Sequence, residues 1–197
     1  MLFRKAPADR PDLVLFGQRV MLRPPRYDDY RQWAALRRES EAFLQPWEPL
    51  WPADDLTSRA FRRRIDRYET DIEKDETYPF FIFDGSGETL LGGLTLTNVR
   101  RGAASMASLG YWMGQVHAGK GFMGEAVRLM LPLAAQKLRL RRIEAACVPE
   151  NQPSLRLLEK AEFVREGYAS EYLSINGVWR DHLLFARLIA SDGKHRA

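Results

Sequence analysis

The sequence predicts a single mixed α/β domain, and three observations carry that expectation. Short apolar segments bounded by turn signals recur through the second half of the chain, with Asn176-Gly177 joining the last two as a hairpin turn would. Leu56, Ala60, Phe61, Ile65, Tyr68 and Ile72 keep helical spacing, so they form one buried stripe. A glycine-rich turn, Gly119 to Gly124, separates the strand-like run Leu109 to Met113 from a long apolar helix. At 197 residues, 45% apolar and 28% charged, the chain is long enough for one substantial core. That core is expected over residues 13–188, with 1–12 and 189–197 as tails.

In chain order, Leu13 to Leu22 reads as strand with a turn at Gly17-Gln18, ended by Pro24-Pro25. Tyr27 to Ser40 reads as a helix capped near Tyr27-Asp28, with Tyr30, Trp33, Ala34 and Leu36 inward. The next helix is expected to start after Asp54-Asp55, both good capping residues. Tyr78 to Phe83 and Thr89 to Val99 read as strands around the turn Asp84-Gly85-Ser86-Gly87, and Ser105 to Met113 as another. Helix Glu125 to Leu138 contains Pro132, which removes one helical hydrogen bond and predicts a kink. Strand Arg142 to Val148, helix Pro153 to Lys160, strand Phe163 to Ile175 and strand Val178 to Leu188 complete the order.

Composition excludes several function classes. No apolar run approaches the roughly 20 residues of a membrane span, and the first ten residues lack the apolar stretch of a secretory signal. A lone cysteine, Cys147, precludes an internal disulfide, so a cytoplasmic enzyme is expected. Cys147 lies within an apolar run with no histidine close by, which favours core packing over nucleophilic chemistry. Thirty basic against twenty-six acidic residues give a net charge of +4, a mixed surface rather than a nucleic-acid footprint. The runs Arg62-Arg63-Arg64, Arg100-Arg101 and Arg139 to Arg142 read as solvated faces, with docking on an anionic, RNA-rich particle as the alternative. His117, His182 and His195 lack ligand spacing, and no metal is expected.

The glycine-rich turn is the main chemical signal. At a helix start it leaves backbone N–H groups unpaired and converging, a site for an anionic phosphate. Gly119, Gly121 and Gly124 spell a dinucleotide fingerprint, G-x-G-x-x-G. Too little chain follows for two βαβ halves, however, and no acidic residue closes the next strand, which ends Cys147-Val148-Pro149. Gly114 to Lys120 spells G-x-x-x-x-G-K, but Gly121 stands where a magnesium-binding hydroxyl is needed.

A third pattern extends past the loop to Asn151-Gln152-Pro153-Ser154 and Ala161-Glu162-Phe163. With Ala118-Gly119-Lys120-Gly121-Phe122-Met123 these segments resemble the GNAT acetyltransferases, with Ala118 and Met123 departing from the general loop pattern. Phe43 to Pro49, the string G-K-G-F-M-G-E-A, and the segments Glu166 to Leu173 and Gly177 to His182 are similar to the RimJ/RimL-type ribosomal-protein alanine N-acetyltransferases. Glu162 stands where that group usually has glycine. The resemblance implies a mixed, mostly antiparallel sheet splayed at its two central strands, with flanking helices and acetyl-CoA in the gap.

It also implies the site. Gly119, Lys120, Gly121, Phe122, Met123 and Gly124 would hold the pyrophosphate, and Tyr111, Trp112 and Met113 would pair with the pantetheine arm and the thioester oxygen. Asn151 would contact coenzyme A or cap the short helix, and Ser154 would touch the cofactor and protonate the leaving thiolate. Glu171 would take the amine proton, while Trp47 and Glu48 would line the acceptor slot or anchor their loop. The expected reaction is direct acetyl transfer from acetyl-CoA to a protein N-terminal α-amine, with alanine of a small-subunit ribosomal protein as the leading acceptor. Acetylation of an aminoglycoside or polyamine, favoured by a rather acidic slot, is a second reading. A ribosome-associated acetyl-CoA-binding factor with little turnover is a third.

Overall fold

The computed structural model describes residues 10–189. The expected C-terminal tail from Ala190 and nearly all of the N-terminal one lie outside them. Eight strands form one sheet in the order β1-β2-β3-β4-β5-β6-β8-β7. They are β1 (Leu15–Phe16), β2 (Val20–Arg23), β3 (Tyr78–Asp84), β4 (Leu90–Arg100), β5 (Met106–Met113), β6 (Arg142–Cys147), β7 (Val164–Ile175) and β8 (Val178–Leu188). Every neighbouring pair is antiparallel except β5 and β6. Among the described residues no helix is long and apolar enough to cross a membrane.

Helices cover both faces. Helices α1 (Tyr30–Glu39), α2 (Glu41–Leu44) and α3 (Ser58–Glu73) lie on one side, with a 3₁₀ turn after α2, and α4 (Phe122–Pro132) and α5 (Gln152–Lys160) lie on the other. This explains why β3 reads as an unbroken apolar run. Phe81 and Phe83 pack with Trp33 and Phe61 under α1 and α3, while Phe80 and Ile82 pack with Ala126 and Met130 of α4. Pro79 is tolerated in β3 because the strand pairs with β2 only from Phe81 onward.

Several helix boundaries shift for identifiable reasons. The first helix begins at Tyr30 after a 3₁₀ turn, because Asp29 is taken by Arg23 at 2.6 and 2.9 Å and by the Arg26 amide at 2.7 Å. Thr57, not Asp54 or Asp55, caps α3, its Oγ1 accepting from Ala60 N at 3.2 Å. The two aspartates instead pair with Arg63 and Arg64. Residues 41–47, expected as loop, form α2 and a 3₁₀ turn. Helix α4 starts at Phe122 rather than Glu125, since Gly121 is its N-cap. At Pro132 the expected interruption takes the form of a π-helical turn over Leu133–Lys137, closed by Leu138 N to Leu133 O at 3.0 Å. The Asn176-Gly177 turn has φ of 47° and 79°, the two positive values a type I′ hairpin needs.

Glu162 follows α5 with φ of 59°. Its amide donates to Glu159 O at 2.9 Å and that of Phe163 to Leu158 O at 3.0 Å, a Schellman ending whose left-handed position favours glycine. A left-handed non-glycine residue costs about 1–2 kcal/mol, whereas the exposed Glu162–Arg187 pair returns about 0–1 kcal/mol. Glu162→Gly is therefore expected to raise the melting temperature by about 2–4 °C, checked by thermal denaturation; a lower melting temperature would show that the Arg187 pair dominates.

Candidate active site

The turn before α4 has the geometry an anion site requires. Gly119 and Gly121 have φ of 73° and 85°, and Gly121 is the left-handed N-cap of a helix whose first amides lack intrahelical partners. Arg19 braces it from the β1–β2 turn. Its backbone N and Nε donate to Glu125 at 2.8 and 3.0 Å, its Nη1 donates to Lys120 O at 3.2 Å, and its guanidinium lies 5.2 Å from the Phe122 ring centre. Although burial pushes the Glu125 carboxyl upward, the Arg19 hydrogen bonds hold it below the usual range. Lys120 is exposed on the same turn, and Met123 is buried beneath it.

The sheet splays beside this turn. Strands β5 and β6 pair only at Met106–Arg142, Ala107–Ile143 and Ser108–Glu144 and then separate. Gly114 N donates to Leu91 O at 2.9 Å, so the directly bonded pairs with β4 are Gly114–Leu91, Trp112–Gly93 and Gly110–Thr95. Antiparallel alternation therefore turns the backbone groups of Leu109, Tyr111 and Met113 into the gap. Trp112 directs its own amide to β4 and packs its indole with the α1/α3 cluster.

Helix α5 closes the gap's far side. Asn151 caps it, Oδ1 accepting from Ser154 N at 3.2 Å, and the Ser154 Oγ sits 2.6 Å from the Tyr111 hydroxyl. Burial pushes the Tyr111 phenol up, opposed in part by its bond to Ser154. The structure thus joins two expected site residues that lie far apart in sequence. Cys147 is buried at the end of β6, and burial raises its thiol, so it is held as the inert thiol expected of core packing.

Glu171 occupies an irregularity in β7, between Ala169 and Leu173, with φ of 46°. Its amide donates to Asp181 Oδ1 at 2.8 Å, and the Tyr168 hydroxyl donates to the other oxygen of Asp181. Those two bonds, Tyr168 first, hold the Asp181 carboxyl low. Asp181 thus fixes the bulge that exposes Glu171. The segment Phe43 to Pro49 reaches the same hairpin, since Asn176 N donates to Glu48 O at 2.8 Å.

The contacts favour the loop-anchor reading of Glu48 over the acceptor slot, and one expectation, the solvated face at Arg64, is corrected. The Glu48 carboxylate does not stand free for a cationic N-terminus. Arg37 holds both its oxygens at 2.8 and 2.7 Å and Trp51 Nε1 donates at 2.8 Å, so Glu48 anchors its loop as an ion pair. Trp47, half-buried, lies in the 3₁₀ turn before it. Nor is Arg64 part of a wholly solvated face. Arg62 and Arg63 are exposed, but Arg64 lies 4.7 Å from the Trp33 ring centre and borders a cavity of about 260 Å³ with Arg37, Arg67 and Trp112. Sequence reasoning missed this cavity because its arginines come from two helices, α1 and α3, which meet only when both pack on the same face of the sheet.

Residues 19–164 match the family described as the acetyltransferase (GNAT) domain. The chain belongs to the GNAT acetyltransferases. This acetyltransferase is 40% identical over 179 residues to the probable N-acetyltransferase YjcK of Bacillus subtilis, covering 91% of this chain and 99% of that one. It is 32% identical over 176 residues to the [ribosomal protein uS5]-alanine N-acetyltransferase of Escherichia coli, covering 89% and 91%. Among solved structures it is similar to Mycobacterium smegmatis RimJ in complex with CoA-disulfide, with a TM-score of 0.82, 34% identity and coverage of 86% and 81%. The acetyltransferase is thus related to ribosomal-protein acetyltransferases, and its mixed eight-stranded sheet with flanking helices is the GNAT fold.

Proposed function

We propose that this acetyltransferase moves acetyl from acetyl-CoA to the α-amine of a protein N-terminus, with an alanine of a small-subunit ribosomal protein as the leading acceptor. The observation that carries the chemistry is the Tyr111–Ser154 hydroxyl pair, 2.6 Å apart beside the splayed gap. Relatedness to the uS5-alanine enzyme supports the acceptor.

In this reading the amides around Gly119, Gly121 and Gly124, with Lys120, Phe122 and Met123 flanking them, receive the pyrophosphate without a metal. The backbone of Tyr111 and Met113 pairs with the pantetheine arm, and an amide there donates to the developing oxyanion. Such a donor is worth about 2.7–4 kcal/mol. Trp112 backs the acceptor side, and Asn151 orients Ser154 through the helix cap. The amine nitrogen attacks the thioester carbon, the carbon–sulfur bond breaks, and the sulfur takes a proton from Ser154, whose hydroxyl is restored from solvent through the Tyr111 phenol. The amine's surplus proton leaves through water to Glu171. Orienting both substrates supplies roughly 7–11 kcal/mol, so no covalent enzyme intermediate is required.

The demand on Glu171 is modest. An α-amine of pKa about 7.7–8.0 is roughly one-tenth free base at pH 7. Glu171→Gln is therefore expected to lower kcat about tenfold at pH 7 and less at pH 9, with acetyl-CoA affinity unchanged. Steady-state kinetics at both values check this, and unchanged turnover removes Glu171 from the reaction. The function itself is tested by incubating small-subunit ribosomal proteins with acetyl-CoA and this enzyme, then measuring intact masses and mapping modified N-termini. A single added acetyl group on one N-terminal alanine is the expected result. Acetylation confined to small polyamines, or acetyl-CoA binding without transfer, overturns it.

A further inference from the structure

The cavity of about 260 Å³ lies between α1, α3 and the strands β3, β4 and β5, on the sheet face opposite α4 and α5. Its polar lining is dominated by Arg37, Arg64 and Arg67, its aromatic lining by Trp33, Tyr68 and Trp112, and among the described residues no carboxylate borders it. The cavity begins one residue from the gap, because Trp112 lies between Tyr111 and Met113, whose backbone groups face the splay. Gly93 makes room for it, since a Cβ there would stand 2.7 Å from Trp112 Nε1 and lift the indole off the sheet.

The charges are unequally matched. Arg37 is buried, paired with Glu48, and stacked 4.0 Å from the Trp51 and 5.0 Å from the Trp112 ring centre. Arg64 pairs with Asp55 at 2.5 Å. Arg67, exposed at the cavity's edge, has no hydrogen-bond or ion-pair partner among the described residues. Three guanidinium groups thus meet one space with two counter-ions, both outside its lining. A half-open pocket with surplus positive charge and aromatic walls favours an oxyanion over a second cation.

We infer that this cavity binds an anionic group of the acceptor, so that the enzyme selects amines carrying a carboxylate a few bonds from the reacting nitrogen. The inference rests on the N-terminal acetylation proposed above and specifies its substrate class: N-termini followed by acidic residues. Two carboxylate sources fit, a side chain of the next residues or the C-terminal carboxylate of a very short acceptor.

The test compares kcat/KM for Ala-Glu-Glu, Ala-Gln-Gln and Ala-Lys-Lys as C-terminal amides, together with the free-acid form of Ala-Gln-Gln. We expect the glutamate peptide to exceed the glutamine peptide about tenfold and the lysine peptide about 100-fold, with Arg67→Gln reducing the glutamate advantage to about threefold. Arg67→Glu should favour the lysine peptide. A free-acid advantage equal to the glutamate one assigns the cavity to the C-terminal carboxylate, and none assigns it to the side chain. A flat series, a wild-type preference for lysine, or a glutamate preference untouched by both Arg67 variants overturns the inference. If no peptide is acetylated, the N-terminal reading fails by itself. The cavity is then tested with glutamate α-amide against spermidine, where glutamate amide preferred upholds the anion site and spermidine preferred, or neither acetylated, overturns it.

Discussion

Gly121→Val is expected to weaken acetyl-CoA binding about 10- to 100-fold, which corresponds to about 1.4–2.8 kcal/mol. Gly121 is the N-cap of α4 with φ of 85°, a region a β-branched residue adopts only under strain. A Cβ there would also stand 3.2 Å from Arg19 Nη2. Arg19 is flexible enough to yield, but in yielding it loosens its bonds to Glu125 and to Lys120 O, the two contacts that brace the turn. Both effects displace the converging amides that an anion requires. Gly119→Ala separates them, because φ is 73° but nothing lies within 4 Å of a new Cβ. That variant carries strain alone, and a loss of about fivefold to tenfold is expected from about 1 kcal/mol or slightly more. Calorimetric titration with acetyl-CoA, accompanied by thermal melts, checks both. Unaltered affinity in a folded Gly121→Val protein would place the pyrophosphate elsewhere.

The second large effect is expected at the hydroxyl pair. Ser154→Ala should lower kcat about 10- to 100-fold, near the lower range for a general acid, because a thiolate is a good leaving group. Acetyl-CoA affinity should change little, since Ser154 N remains capped by Asn151. Tyr111→Phe should cost less in kcat and about 1 kcal/mol in stability for the lost buried hydrogen bond. The double variant should fall little below Ser154→Ala, because hydroxyls acting as one unit are not additive. Burial raises the Tyr111 pKa, so the neutral, donating phenol persists to higher pH than an ordinary tyrosine of pKa about 10. The kcat/KM profile should therefore rise through the amine's pKa, about 7.7–8.0, and show no falling limb below about pH 10. Strictly additive losses, or a falling limb near neutrality, would sink the pair's proposed role.

The sequence by itself determined whatever rests on local stereochemistry. The hairpin at Asn176-Gly177 was legible because a type I′ turn demands two left-handed residues, and the helix-opening glycine turn because glycine adopts the left-handed angles found at Gly119 and Gly121 without strain. The strand at Tyr78 to Phe83 was legible too, but the burial of both its faces became visible only with helices packed on each side. Tertiary structure decided what depends on which charged groups meet. Asp54 and Asp55 are as suited to capping as Thr57, but their pairing with Arg63 and Arg64 leaves the cap to the threonine. Glu48 offers a free carboxylate in the sequence and is neutralised by Arg37 in the fold. Tyr111 and Ser154 become one unit only because β5 and the start of α5 converge across the splayed gap. The surplus charge at Arg67 emerges only when α1 and α3 settle on the same face of the sheet. Side-chain periodicity reports which way a residue faces, whereas ion pairing depends on distances between segments remote in sequence, and those distances exist only once the chain has packed.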